Sequence, residues 1–103
     1  MNAQVIVGGY KTIYNQSGIR LRQYSDKCSL IIDATAQTFT SSWSTWVSGL
    51  VPSGCRPGNP IIVCNLYSNP NTWVCINNNG NLEKKSNSGN QNAPVWCELS
   101  WNY

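Results

Sequence analysis

Residues 94–103 read PVWCELSWNY. Val95, Cys97, Leu99 and Trp101 alternate with Trp96, Glu98, Ser100 and Asn102. A period of two sends the first set to one side of an extended strand and the second to the other. The apolar side is expected in a core, and the other side against solvent or a partner chain. Trp101 therefore reads as core, and Trp96 as a ligand platform or a subunit contact.

Working outward, the same alternation groups Cys28 with Leu30 and Ile32, and Cys64 with Ile62 and Leu66. Further short extended runs are expected at 4–7, 18–24, 27–34, 45–51, 60–67, 72–77 and 81–84, besides 94–102. Turn chemistry separates them. YSDK makes a tight turn. PSGCRPGNP carries three prolines and two glycines. SNPN and NNNG suit reversals because Asn and Gly tolerate positive φ. NNNGNLE reads as a hairpin, and SNSGNQNA as a loop. No window holds a helical apolar period. Eight strands at this spacing point to an all-β fold, an antiparallel β-sandwich or a jelly roll.

The chain has 103 residues, room for one domain with a modest core. Residues 1–17 read as an extended lead and 18–103 as the folded unit. Charged residues make up 11%, against a usual quarter or so, and polarity comes from Asn, Ser, Thr and Gln. The net charge of +3 is spread along the chain without a dense basic run. Nucleic-acid binding, which needs many phosphate contacts in one patch, is not expected. No apolar run approaches the ~20 residues of a membrane span, so no membrane insertion is expected.

Catalysis is not expected either. The chain lacks His, which removes Ser–His and Cys–His pairs. Its four acids, Asp26, Asp33, Glu83 and Glu98, are scattered. Without His or a Cys-x-x-Cys spacing, no metal site and no cofactor are expected. The five cysteines read as reduced core thiols, in keeping with assembly in a cytoplasm; one or two disulfides in a secreted protein is the alternative.

Five tryptophans and five tyrosines are the informative set. Aromatic faces stack on the C–H faces of sugar rings, and amides pair with sugar hydroxyls; such sites combine apolar walls with a few placed polar groups. Trp46 and Trp101 read as core, and Trp73 as core or subunit interface. Trp43 sits among Ser and Thr, and Tyr67 ends a strand beside SNPN, where binding residues collect. The candidate ligand contacts are Trp43, Tyr67, Asn69, Asn71 and Trp96. Arg56 reads as a structural guanidinium bonding loop carbonyls.

In order along the chain, TWVSGLVPSGCRPGNPIIV, WVCINNNGNLE and PVWCELSWNY resemble the C-terminal region of phage tail-fibre and baseplate proteins. Leu50, Pro52, Gly54, Arg56 and Pro57 stand near the family's turn positions, and Ile76 and Gly80 at its hairpin positions. Val51 intervenes before Pro52, and Cys55 stands where Tyr is usual. The resemblance implies a jelly-roll-like β-sandwich tip domain, usually a homotrimer. It implies a non-enzymatic receptor-binding protein of the virion that recognises host cell-surface saccharide and joins other fibre or baseplate proteins. Three-fold closure would bury second-face residues such as Ile31, Val63 and Trp96. Two alternatives stand beside it: a structural trimerisation or capping module, and a stand-alone lectin-like secreted protein.

Overall fold

Ser17 and Gly18 reverse the chain at its first hairpin. Both adopt positive φ, 56° and 79°, the twist that matches a two-residue turn to its flanking strands. A Cβ on Gly18 would lie 2.3 Å from the Asp33 carbonyl oxygen, so the position also excludes larger residues sterically. The turn joins β1 (Lys11–Gln16) to β2 (Ile19–Gln23). The computed structural model describes residues 9–66 and 71–103.

The remaining elements are β3 (Lys27–Phe39), β4 (Ser44–Val47), β5 (Ile61–Cys64), β6 (Thr72–Ile76), β7 (Leu82–Ser86) and β8 (Gln91–Asn102). A turn of 3₁₀ helix at Ser53–Cys55 interrupts the loop after β4. The protein is all-β, with two four-stranded antiparallel sheets. The first has the order β1-β2-β3-β8 and the second β4-β7-β6-β5. After the β1-β2-β3 meander the pairings nest: β3 with β8, β4 with β7, and β5 with β6.

The two sheets enclose one core. Ile19, Leu21, Leu30, Ile32, Val95 and Leu99 come from the first sheet, and Val74, Ile76 and Leu82 from the second. Loop residues Leu50, Val51 and Cys55 complete it. Trp101 is buried as expected, and Trp46 packs against the cluster half-exposed.

Several expectations change. Residues 11–16, read as part of a lead, hydrogen-bond to β2 as β1, so the folded unit begins before residue 18. The strand expected at 4–7 lies outside the described residues. β3 continues past Ala34 to Phe39, because a bulge between Ala34 and Gln37 restores pairing with β8. The bulge falls opposite Pro94, which has no N–H to give the ladder. Val63, read as a second-face residue, packs inward, as does Ile61. Ile62 and Cys64 therefore face outward, and Ile62 is 52% exposed. One residue of phase decides this, since a slip of one reverses every side chain of a strand.

Candidate functional site

Three connecting segments meet at one end of the sheets. Residues 40–43 follow β3, Asn65 and Leu66 follow β5, Asn71 precedes β6, and residues 87–90 follow β7. Backbone hydrogen bonds tie them together: Ser86 N–H donates to Thr40 O at 2.7 Å, and Asn87 N–H to Asn71 O at 2.8 Å. The other end of the long β3–β8 pair, Lys27 opposite Asn102, lies far from these segments.

Asn65 fixes the middle segment. It is 2% exposed, and its carboxamide behaves as an extra peptide unit against the free edge of β8. Nδ2 donates to Pro94 O at 3.0 Å, and Trp96 N–H donates to Oδ1 at 3.1 Å. Leu66 N–H continues the pairing to Trp96 O at 2.9 Å. Nδ2 also donates to Thr72 Oγ1 at 3.0 Å, and Asn65 N–H to Thr72 O at 2.9 Å. One buried amide thus joins the edge of the first sheet to the start of β6, satisfying the polar groups that burial would otherwise penalise.

The outward face of the second sheet carries aromatic side chains to this end. Thr72, Val74 and Ile76 point into the protein, which turns Trp73 and Cys75 outward. Lys85 lies opposite Trp73 in the β6–β7 register, and its ammonium sits 5.8 Å over the Trp43 ring. Trp43 and Trp73 therefore flank Lys85, and Trp43 is 38% exposed. Trp73 Nε1 is buried with no acceptor among the described residues.

Amides and hydroxyls cluster on the first sheet, where β3 meets the start of β8. A shallow depression of about 160 Å³ lies among Thr38, Asn90, Gln91 and Asn92. Thr38 Oγ1 donates to Asn92 Oδ1 at 2.9 Å, and Gln91 Nε2 pairs with Ser88 Oγ. Lys84 points the other way from Lys85, 5.1 Å over the Trp46 ring and 5.9 Å over Phe39. Burial pushes its ammonium below the ordinary lysine range.

Of the residues expected from sequence, Trp43 and Asn71 come together here. Tyr67 and Asn69 lie outside the described residues, within the segment that joins Leu66 to Asn71. Trp96 meets Asn65 and Leu66 through its backbone. Its side chain alternates with buried Val95 and Cys97 and projects from the other sheet, 39% exposed. Trp73, Lys85, Thr38, Asn90 and Asn92 were missed as site residues. Trp73 could have been found from its alternation with Val74 and Thr72. The rest depend on the extension of β3 and on the β6–β7 register.

A second aromatic group occupies the opposite end. Tyr10 and Tyr24 rings lie 5.6 Å apart, with the Arg22 guanidinium 4.2 Å over Tyr10. Gln23 Nε2 donates to Tyr103 Oη at 2.8 Å, and that hydroxyl donates to Tyr24 O at 2.7 Å. The Tyr103 hydroxyl is thereby used internally as both acceptor and donor. Among the described residues, no group of three acids, cysteines or histidines is placed to hold a metal.

No family model, no curated protein and no solved structure matches the chain.

Proposed function

We propose that this domain is the non-enzymatic receptor-binding tip of a phage tail fibre or baseplate, and that its loop end binds host cell-surface saccharide. The observation that carries the reading is the placement of Trp43 and Trp73 on either side of Lys85. Flat aromatic faces offer stacking surface for sugar C–H groups. Asn, Gln and Thr side chains offer both donors and acceptors to hydroxyls. The low charge of the chain suits a neutral polyhydroxyl ligand better than a phosphate-rich one.

In this reading the chain is a jelly-roll-like sandwich that works as a homotrimer within the virion. The nested β3–β8, β4–β7 and β5–β6 pairings support the first part. The exposed apolar side chains of Ile62, Leu66 and Trp96, where β5 meets β8, support the second as subunit contacts. Repetition of a weak site around a three-fold axis would raise avidity without new contacts.

Titration of the full chain with polysaccharide purified from candidate host surfaces, followed by tryptophan fluorescence, tests the reading. Saturable change is expected with at least one polysaccharide. A flat signal with all of them, from a chain that light scattering shows to be trimeric, favours instead a capping module of the same fold, which those exposed apolar residues would also serve.

A further inference from the structure

Cys28 and Cys55 meet in the core. Cys28 lies opposite Trp101 in the β3–β8 register, and both side chains are buried. Trp101 Nε1 in turn donates to the Cys55 carbonyl at 2.6 Å, which seats the 3₁₀ turn against the same pair of strands. The Cys55 N–H is held by Pro52 O at 2.9 Å. Both thiols are free and buried in the one core cluster, with Cys55 beside Cys28.

The other cysteines are placed differently. Cys97 points into the core and Cys75 points outward from the second sheet. Cys64 and Cys75 share the outward face as diagonal neighbours, since Ile62 opposes Cys75 and Cys64 opposes Trp73. Diagonal neighbours sit about 7–8 Å apart, beyond the Cβ separation of about 4 Å that a disulfide requires.

We propose that Cys28 and Cys55 are a cross-linking pair, which closes to a disulfide when the chain folds in the presence of a disulfide oxidant such as glutathione disulfide. One cysteine thiolate attacks the oxidant and expels a glutathione thiolate. The second thiolate attacks the mixed disulfide and expels another. Two thiols lose their protons and two electrons, and two glutathione thiols are formed. The bond ties β3 of the first sheet to the loop that follows β4 of the second.

Burial makes the pair a record of folding conditions. The Cys28 thiol is pushed up to about 12, first by burial and then by the adjacent Cys55. Exchange needs a thiolate and access; burial denies access to both thiols and disfavours the thiolate of Cys28. Oxidation therefore belongs to the folding chain, and the folded reduced chain resists the same oxidant. Once closed, the buried bond is equally shielded from reductants.

The test is refolding of the fully reduced, denatured chain in a glutathione redox buffer, with alkylation of remaining thiols and mass-spectrometric peptide mapping. The expected product loses two hydrogens, joins the Cys28 and Cys55 peptides and carries three alkylated cysteines. Its Tm rises by on the order of 10 °C over the reduced chain, as expected for a cross-link closing a loop of this length. The folded reduced chain, given the same buffer, stays reduced over the same period. A product joined at Cys64–Cys75 or through Cys97, or one with all five thiols alkylated, overturns the assignment. Cys64→Ser/Cys75→Ser retains the cross-link if the assignment holds and loses it if the outward pair is the true one.

Discussion

Gly80 rests against Arg56. A Cβ at residue 80 would lie 2.6 Å from Arg56 Nε and 2.5 Å from the Val51 carbonyl oxygen, and its φ of +81° is one that L side chains rarely adopt. The same carbonyl accepts from Arg56 Nε at 2.9 Å, and Val51 N–H donates to Gly80 O at 3.0 Å. The β6–β7 hairpin and the loop after β4 are thereby locked into one node. Arg56 and Gly80, far apart in sequence, meet there through Val51.

Gly80→Ala should therefore destabilise by about 2–4 kcal/mol, since it combines left-handed backbone strain with a clash against backbone. Arg56→Lys keeps the charge but loses the bond to Val51 O, at about 1 kcal/mol. Urea denaturation of both variants and of their combination checks this. The double variant should lose less than the sum, because the two residues share one partner.

Asn65→Leu leaves the Pro94 carbonyl and the Trp96 N–H without their amide partner and should cost about 2–4 kcal/mol. Asn65→Asp should cost at least as much, because a carboxylate oxygen would then face Pro94 O in place of a donor. Thermal unfolding measures the cost. Limited proteolysis should show faster cleavage between residues 66 and 71 in both variants.

Trp73→Phe removes an indole N–H that has no acceptor among the described residues. No hydrogen bond among the described residues is lost, so Tm should stay within about 2 °C of the parent or rise. Saccharide affinity should nevertheless fall, on the order of tenfold if the larger ring contributes stacking area. A marked loss of stability would show that the indole has a structural partner after all.

Stability should fall at high pH. Burial pushes Cys97 up to about 12, with the Glu98 carboxylate adding to it, and Cys28 is raised likewise from an ordinary 9.0. Burial also raises Cys75. A raised folded-state value means that the folded chain holds protons which the unfolded chain has released. The stabilisation is complete below about pH 9 and is lost as pH climbs toward about 12. Lys84, lowered by burial, works with the opposite sign as pH rises toward 10.5, but it is one half-buried group against three thiols. Tm measured at about pH 8 and about pH 11 should drop, and Cys97→Ala should lessen the drop.

The fold was legible where alternation was clean. Val95 to Trp101 and Cys28 to Ile32 fell on the expected faces because each strand has one strictly apolar side. Short strands misled: β5 is apolar at Ile61, Ile62 and Val63 alike, so its phase is set by pairing with β6 and not by its own residues. β1 carries mixed polarity at a sheet edge, where no buried face writes a pattern. The site was half legible. Trp43 and Asn71 stood out as aromatic and amide residues in turn-rich segments. Lys85 and Asn92 gained their place only from tertiary register. Asn65 stood unmarked in a sequence where Asn is common, because its role is to replace a peptide group across a sheet edge.

The central claim is that the aromatic loop end holds saccharide, and Trp43 is its most exposed platform. The most direct measurement compares the parent chain with Trp43→Ala for adherence to a panel of bacterial cells, with Tm recorded for both. The account predicts that the parent adheres to some strains, that Trp43→Ala loses on the order of tenfold in affinity for them, and that Tm is unchanged. Equal adherence of the two chains, or no adherence of the parent to any strain, would contradict it.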